Sequence, residues 1–228
     1  MLTPARRDGT EILDGSGLDP RVVQRSMGDV ARANALFGGA SALLAELEPA
    51  LRGLPPVAML LDIGTGLGDI PARARSYARS HGIALGTLGV DVALELAAAS
   101  ARQVDAAVCA DALRLPFADK SVDVVTCSQV LHHFPGPRGI DLLREMDRVA
   151  RTRVVVSDLR RSWTAAGGLW VASFPLRFHP VSRHDGVVSV LRGFTSRELA
   201  GLVEEAVGAQ ARVSKRFAFR VTTSWAPR

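Results

Sequence analysis

Short apolar runs alternate with longer amphipathic ones through the middle of the chain. "VAMLLDIG" (57–64), "ALGTLGVD" (84–91), "AAVCAD" (106–111), "VDVVTCSQV" (122–130) and "RVVVSDL" (153–159) are β-branched or continuously apolar. That is the pattern of strands buried on both faces. Between them, residues 68–80, 93–102 and 138–150 carry apolar positions at helical spacing. Regular alternation of this kind predicts a mostly parallel sheet with helices on both sides. Beyond the fifth strand come a long apolar stretch, "WTAAGGLWVASFPLRF" (163–178), a polar loop containing histidines, and a helix over 196–207 opened by Thr195 or Ser196. Residues 211–225 read as two tightly joined strands, and residues 1–52 as mainly helical. The expected fold is α/β, a doubly wound, seven-stranded, mostly parallel sheet with an antiparallel last strand. An N-terminal helical extension or cap (1–52) precedes the domain proper (53–228).

Composition narrows the class. At 228 residues the chain suits one domain with extensions. With 47% hydrophobic and 22% charged residues and no bilayer-length apolar run, it reads as globular. The opening "MLTPARRDGTEILDG" lacks the apolar core of a secretion signal, so a cytoplasmic location is expected. Cys109 and Cys127 sit in separate apolar runs, as small buried hydrophobes do. No metal-ligand spacing involves them, and no metal is expected. The net charge of +5 comes from 28 basic and 23 acidic residues spread along the chain. Only "RVSKRFAFR" (212–220) approaches the basic-aromatic pattern of nucleic-acid binding, and a solvated strand face explains it.

The stretch "LLDIGTGLGDIPARA" (60–74) puts Gly64, Gly66 and Gly68 directly after the first strand. In an open α/β sheet such a turn presents backbone N–H groups to a ligand beyond the strand ends. A dinucleotide fingerprint would need its third glycine at position 69, which is Asp. Asp91 ends the second strand, where a carboxylate can accept ribose hydroxyls or cap the following helix. The block "CADALRLPFADKSVDVVTCSQVLHHF" then runs from Asp111, after the third strand, to His132 and His133 after the fourth.

Together these motifs resemble the class I S-adenosylmethionine-dependent methyltransferases, in particular their small-molecule branch, over about residues 57–160 and more weakly over 194–226. The resemblance implies a Rossmann-like domain binding S-adenosyl-L-methionine and releasing S-adenosyl-L-homocysteine. It assigns cofactor binding to Asp62, Gly64, Thr65, Gly66, Gly68, Asp91, Val92, Asp111, Ala112, Ser128 and His132. In this reading Asp91 takes the ribose, Asp111 the adenine amino group, and the N–H of Ala112 a ring nitrogen. "EILDGSGLDPRVVQRSMGDVARANALFGG" (11–39) is similar to the N-terminal helices of methyltransferases of bacterial polyketide and quinone pathways. The stretch after the fifth strand stands where the family builds its acceptor pocket, so Trp163, Trp170, Phe174 and Phe178 either line an apolar chamber or pack in the core.

Methyl transfer from a sulfonium needs alignment, desolvation and a competent nucleophile. A phenol ionises near pH 10 when unperturbed, so a base helps, and histidine suits the task. His184, beside Asp185 in the expected loop, and His133 are the catalytic candidates, ahead of His132 and His179. The function expected is O-methylation of a small apolar phenol or hydroxyquinone, with C-methylation of a quinone or polyketide ring as the alternative. A nicotinamide-dependent reductase is disfavoured by Gly68 and by the absence of a Tyr-x-x-x-Lys pair. An RNA methyltransferase is disfavoured because "SQVLHHF" replaces the N/D-P-P-Y type of motif. A cofactor-binding protein without transferase activity is a further alternative.

Overall fold

Successive residues of the central strands divide between two cores, one on each face of a seven-stranded sheet. The computed structural model of the chain describes residues 3–7, 9–15 and 17–228; the few others of the expected helical extension lie outside the described residues. The strands are β1 (Val57–Ile63), β2 (Ala84–Asp91), β3 (Ala106–Cys109), β4 (Val122–Ser128), β5 (Ala150–Leu159), β6 (Ser214–Arg216) and β7 (Arg220–Trp225). Their order is β3-β2-β1-β4-β5-β7-β6, parallel from β3 to β5, with β7 antiparallel to both β5 and β6. The helices are α1 (Pro20–Leu36), α2 (Gly39–Leu51), α3 (Asp69–Ser80), α4 (Leu94–Ser100), α5 (Pro137–Val149), α6 (Trp163–Ala172), α7 (Pro180–Arg192) and α8 (Ser196–Val207).

The period-two geometry of a strand sends neighbours to opposite faces. Leu60, Val124 and Val155 meet Leu43, Leu47 and Leu51 of α2 and Ala74 of α3 on one side. Leu61, Val125, Val154 and Val156 meet Leu142 and Met146 of α5 and Leu199 of α8 on the other. Each fully buried leucine contributes about 1.5–3 kcal/mol, so α2 is a structural layer of the sheet. Glu46 ties the same helix to the sheet edge, accepting hydrogen bonds from Arg216, Thr222 and Ser224 at 2.8–2.9 Å.

The strand and helix assignments agree with the sequence pattern to within a few residues, except after β5. The expected polar loop is the helix α7. His179 caps it, its Nδ1 accepting from the Val181 N–H at 3.3 Å, and Pro180 occupies the first turn. Proline at that position and the spacing of Val187, Val190 and Leu191 are helix signals. The polar "SRHDG" (182–186) between them obscured the period. α8 is opened by Thr195, one of the two residues expected there, which forms a capping box with Glu198, and the helix ends at Gly208. Among the described residues, no helix is long and apolar enough to cross a membrane.

Candidate active site

Strand order reverses at β1, between β2 and β4, and a crevice opens there beyond the carboxyl ends of the strands. It leads into a cavity of about 1230 Å³. The three glycines after β1 do different jobs. Gly64 (φ +65°) lets the backbone pass the loop after β4, since a Cβ there would meet Val130 Cγ2 at 2.3 Å. Gly68 (φ +77°) turns the chain into α3 and packs on Ser100 and Gln103. Gly66 (φ +55°) has nothing within 4 Å of its Cβ position and lines the cavity. Gly66 is therefore the glycine that leaves a ligand room.

Asp91 joins this turn to β2. Its Oδ2 accepts the Gly66 N–H and its Oδ1 the Ala93 N–H, both at 3.0 Å. The helix-capping role and the position in the cavity wall are thus combined in one residue. Burial raises its pKa, against the hydrogen bonds from these N–H groups. Asp111 is exposed at the rim, with Oδ1 held by the Leu113 N–H at 2.9 Å. Val92 and Ala112 line the cavity beside these acids. Thr65 Oγ1 and Ser128 Oγ are buried in the same wall without a protein hydrogen-bond partner. Two unsatisfied hydroxyls at the strand ends are what a polar ligand would complete.

Two members of the expected cofactor set stand behind the wall. Gly68 shapes the turn, and Asp62 is buried beneath it, accepting the Thr126 hydroxyl at 2.7 Å. Burial pushes Asp62 up to about 7, opposed by that hydrogen bond and reinforced by the charges of Asp69 and Asp91. Sequence reasoning missed Asn34 of α1 and Gln129 (φ +57°), whose amides are hydrogen-bonded to each other in the cavity wall. It also missed Phe217 and Phe219 on the hairpin between β6 and β7. The positive φ of Gln129 leaves no trace in composition, and the hairpin aromatics looked like a solvated strand.

The N-terminal segment, α1, α6, α7 and the β6–β7 hairpin add apolar side chains to the cavity wall, beside the charged Glu11, Asp14, Asp29 and Asp185. Leu13, Met27, Phe37, Leu169, Phe178 and Phe217 are among them. Of the four aromatics expected either in this chamber or in the core, only Phe178 belongs to the lining; Trp163, Trp170 and Phe174 are on the surface. Trp170 and Phe174 form an edge-to-face pair there, with Arg183 over Phe174. It is the small side of α6, at Thr164, Ala165 and Gly168, that turns to the cavity.

The histidines separate as clearly. His132 and His133 line the cavity. His132 is fully enclosed, its Nδ1 on Asp158 Oδ1 at 2.7 Å and its Nε2 3.6 Å from Glu11 Oε1. Burial pushes its pKa down, but Asp158 and Glu11 outweigh this and lift it to about 9. His133 Nδ1 lies 3.2 Å from Asp14 Oδ1. His184 sits half exposed on α7, outside the cavity lining, with Nδ1 on Asp185 Oδ1 at 2.8 Å. The loop that was to bring His184 to the acceptor is a helix, and Asp185 is the residue of that pair in the cavity wall. The Asp185 carboxylate also holds the Ile12 and Leu13 N–H groups at 2.8 and 2.9 Å, fixing the N-terminal segment over the cavity.

Strand order, glycine turn and acidic strand ends define a class I methyltransferase fold, and comparison with known proteins agrees. Residues 61–156 match the family described as methyltransferase domain. That match makes up less than half of this chain. The chain is 34% identical over 114 residues to a demethylmenaquinone methyltransferase of Roseiflexus sp. (strain RS-1), a match covering 48% of this chain and 45% of that one. The match thus spans less than half the length of that relative. The fold is shared with a SAM-dependent methyltransferase from Aquifex aeolicus (TM-score 0.63, 18% identity, 93% of this chain and 100% of that one). It is also shared with magnesium protoporphyrin IX methyltransferase from Synechocystis PCC 6803 with bound SAM (TM-score 0.52, 14% identity, 95% and 88% covered).

Proposed function

We propose that the protein methylates a small apolar acceptor, a phenol or hydroxyquinone, on oxygen. The observation that carries this reading is the size and lining of the cavity. Its volume, about 1230 Å³, exceeds the roughly 300–1,000 Å³ of a site for one ligand. The strand ends offer backbone N–H groups, carboxylates and unsatisfied hydroxyls, and the elements that cover them add a set of apolar side chains, Leu13, Met27, Phe37, Leu169, Phe178 and Phe217. Gly66, Asp91, Asp111, Ala112, Thr65 and Ser128 would hold the cofactor, which when bound supplies an electrophilic methyl group on a sulfonium. The relative named for demethylmenaquinone supports a quinone-like acceptor.

The chain's contribution to the step is alignment and exclusion of water. The N-terminal segment, α6, α7 and the β6–β7 hairpin enclose the acceptor end, and a fixed collinear approach supplies most of the acceleration in such a displacement. Where the acceptor hydroxyl must lose a proton, the task falls to His133, which stands beside Glu11 in the cavity wall.

The test is a screen with S-adenosylmethionine labelled in its methyl group. Phenols, hydroxyquinones and unrelated amines are offered, and label is followed into the organic extract and into RNA. Label on a phenolic oxygen supports the proposal, and label on a ring carbon moves it to the C-methylation alternative. Label in RNA, or none on any phenol or quinone, contradicts it.

A further inference from the structure

The cluster at the inner wall of the chamber has a feature that methyl transfer alone does not require. Glu11 Oε1 lies 3.6 Å from His132 Nε2, and Glu11 Oε2 lies 3.8 Å from His133 Nε2. Both separations are too long for hydrogen bonds. His132 Nε2 is buried without a hydrogen-bond partner. For donors about 2.0–2.1 Å from one tetrahedral ion, neighbouring donors stand roughly 3.4 Å apart. At ion-pair distance and without a direct hydrogen bond, the three groups also have the spacing of donors gathered around a shared ion. Donor atoms of all three residues lie within 4.8 Å of one another.

The other nitrogen of each imidazole points to the same conclusion. His132 Nδ1 is on Asp158 Oδ1 at 2.7 Å, and His133 Nδ1 is 3.2 Å from Asp14 Oδ1. A carboxylate on the far ring nitrogen is the arrangement that orients a metal-binding histidine and directs its free nitrogen at the ion. His132 was expected beside the cofactor, His133 as a base and Glu11 in a helical cap; the fold brings them together from 121 positions apart, 11 to 132.

We propose that Glu11, His132 and His133 bind a first-row divalent cation, with Asp158 and Asp14 orienting the two imidazoles. Two imidazoles and one carboxylate select zinc, iron, cobalt or manganese over magnesium or calcium. Glu11 Oε1 also accepts the Ser189 hydroxyl at 2.8 Å and lies 3.4 Å from Arg192 Nη1, so the carboxylate is held in place from the α7 side. All three residues belong to the cavity lining. The remaining coordination positions therefore open toward the chamber, where an acceptor hydroxyl can bind the ion and lose its proton more readily. The site stands or falls without regard to which acceptor is methylated.

The test uses the full chain without an affinity tag, stripped with chelator and titrated with Zn²⁺ by calorimetry. One ion per chain with a dissociation constant below about 10 µM is expected. Glu11→Gln and His133→Ala should each weaken binding at least a hundredfold, and Asp14→Asn about ten- to a hundredfold. Circular dichroism of the variants, matched to the parent, ties the loss to the ligands and not to unfolding. His132 is left intact because it is a core residue. A parent chain that binds no ion below 1 mM, or variants that bind as tightly as the parent, overturns the proposal.

Discussion

The Gly66 N–H donates to Asp91 Oδ2 at 3.0 Å, so the turn after β1 is fastened to the end of β2 before any ligand arrives. Each carboxylate oxygen retains a further lone pair, and Asp91 can hold the turn and still accept a ribose hydroxyl. Losing a charged acceptor costs about 1.5–3 kcal/mol. Asp91→Ala should therefore weaken S-adenosylmethionine binding roughly ten- to a hundredfold by calorimetry. Asp111→Asn, at an exposed rim residue that keeps its hydrogen bond to the Leu113 N–H, should lose less. An Asp91→Ala affinity within twofold of the parent reduces that residue to a helix cap.

The glycines give a paired test. Gly66→Val projects into open space on the cavity side but strains the turn at φ +55°, so it should abolish cofactor binding at some cost in stability while the circular dichroism spectrum is retained. Gly64→Ala meets Val130 instead and should lower the melting temperature. If Gly66→Val binds the cofactor with unchanged affinity, the ligand does not lie against this turn.

Asp62 supplies a pH dependence whose sign follows from its burial. Its folded pKa of about 7 lies above the ordinary carboxylate value. Its contribution to stability is complete below about pH 4 and is lost as pH rises through about 7. Asp62→Asn keeps an acceptor for the Thr126 hydroxyl and removes the charge. Relative to the parent, the variant should gain stability between pH 4 and 7, on the order of a few kcal/mol, and level off above. Urea midpoints across that range check it, and a difference that does not change with pH contradicts it.

The parallel strands and the α3, α5 and α8 helices were legible because their apolar periods are unbroken. The positions of Asp91 and Asp111 on the cavity wall were legible because acidic residues end strands in register. Gly68 and Asp62 were assigned to the ligand because spacing alone does not distinguish a residue that faces a cleft from one that supports it. α7 was hidden by its polar first turns, and with it the place of His184. The role of α2 was half visible: its leucines announced a helix, but their burial against Leu60 and Val155 depends on the sheet. Glu46→Ala, which removes its anchor to three side chains, should cost about 1–3 kcal/mol in the urea unfolding of the whole chain. An unchanged midpoint would show α2 to be peripheral.

The central claim is that cofactor and acceptor occupy two ends of one cavity, and Gly168 offers the most direct measurement. It lines the acceptor end on α6, and its Cβ position has nothing within 4 Å. The measurement is single-turnover methyl transfer to the acceptor found in the screen, at saturating S-adenosylmethionine, in the parent and in Gly168→Trp. The account predicts at least a tenfold loss of transfer, with the cofactor dissociation constant within twofold of the parent. Undiminished transfer, or loss of cofactor binding along with it, contradicts the account.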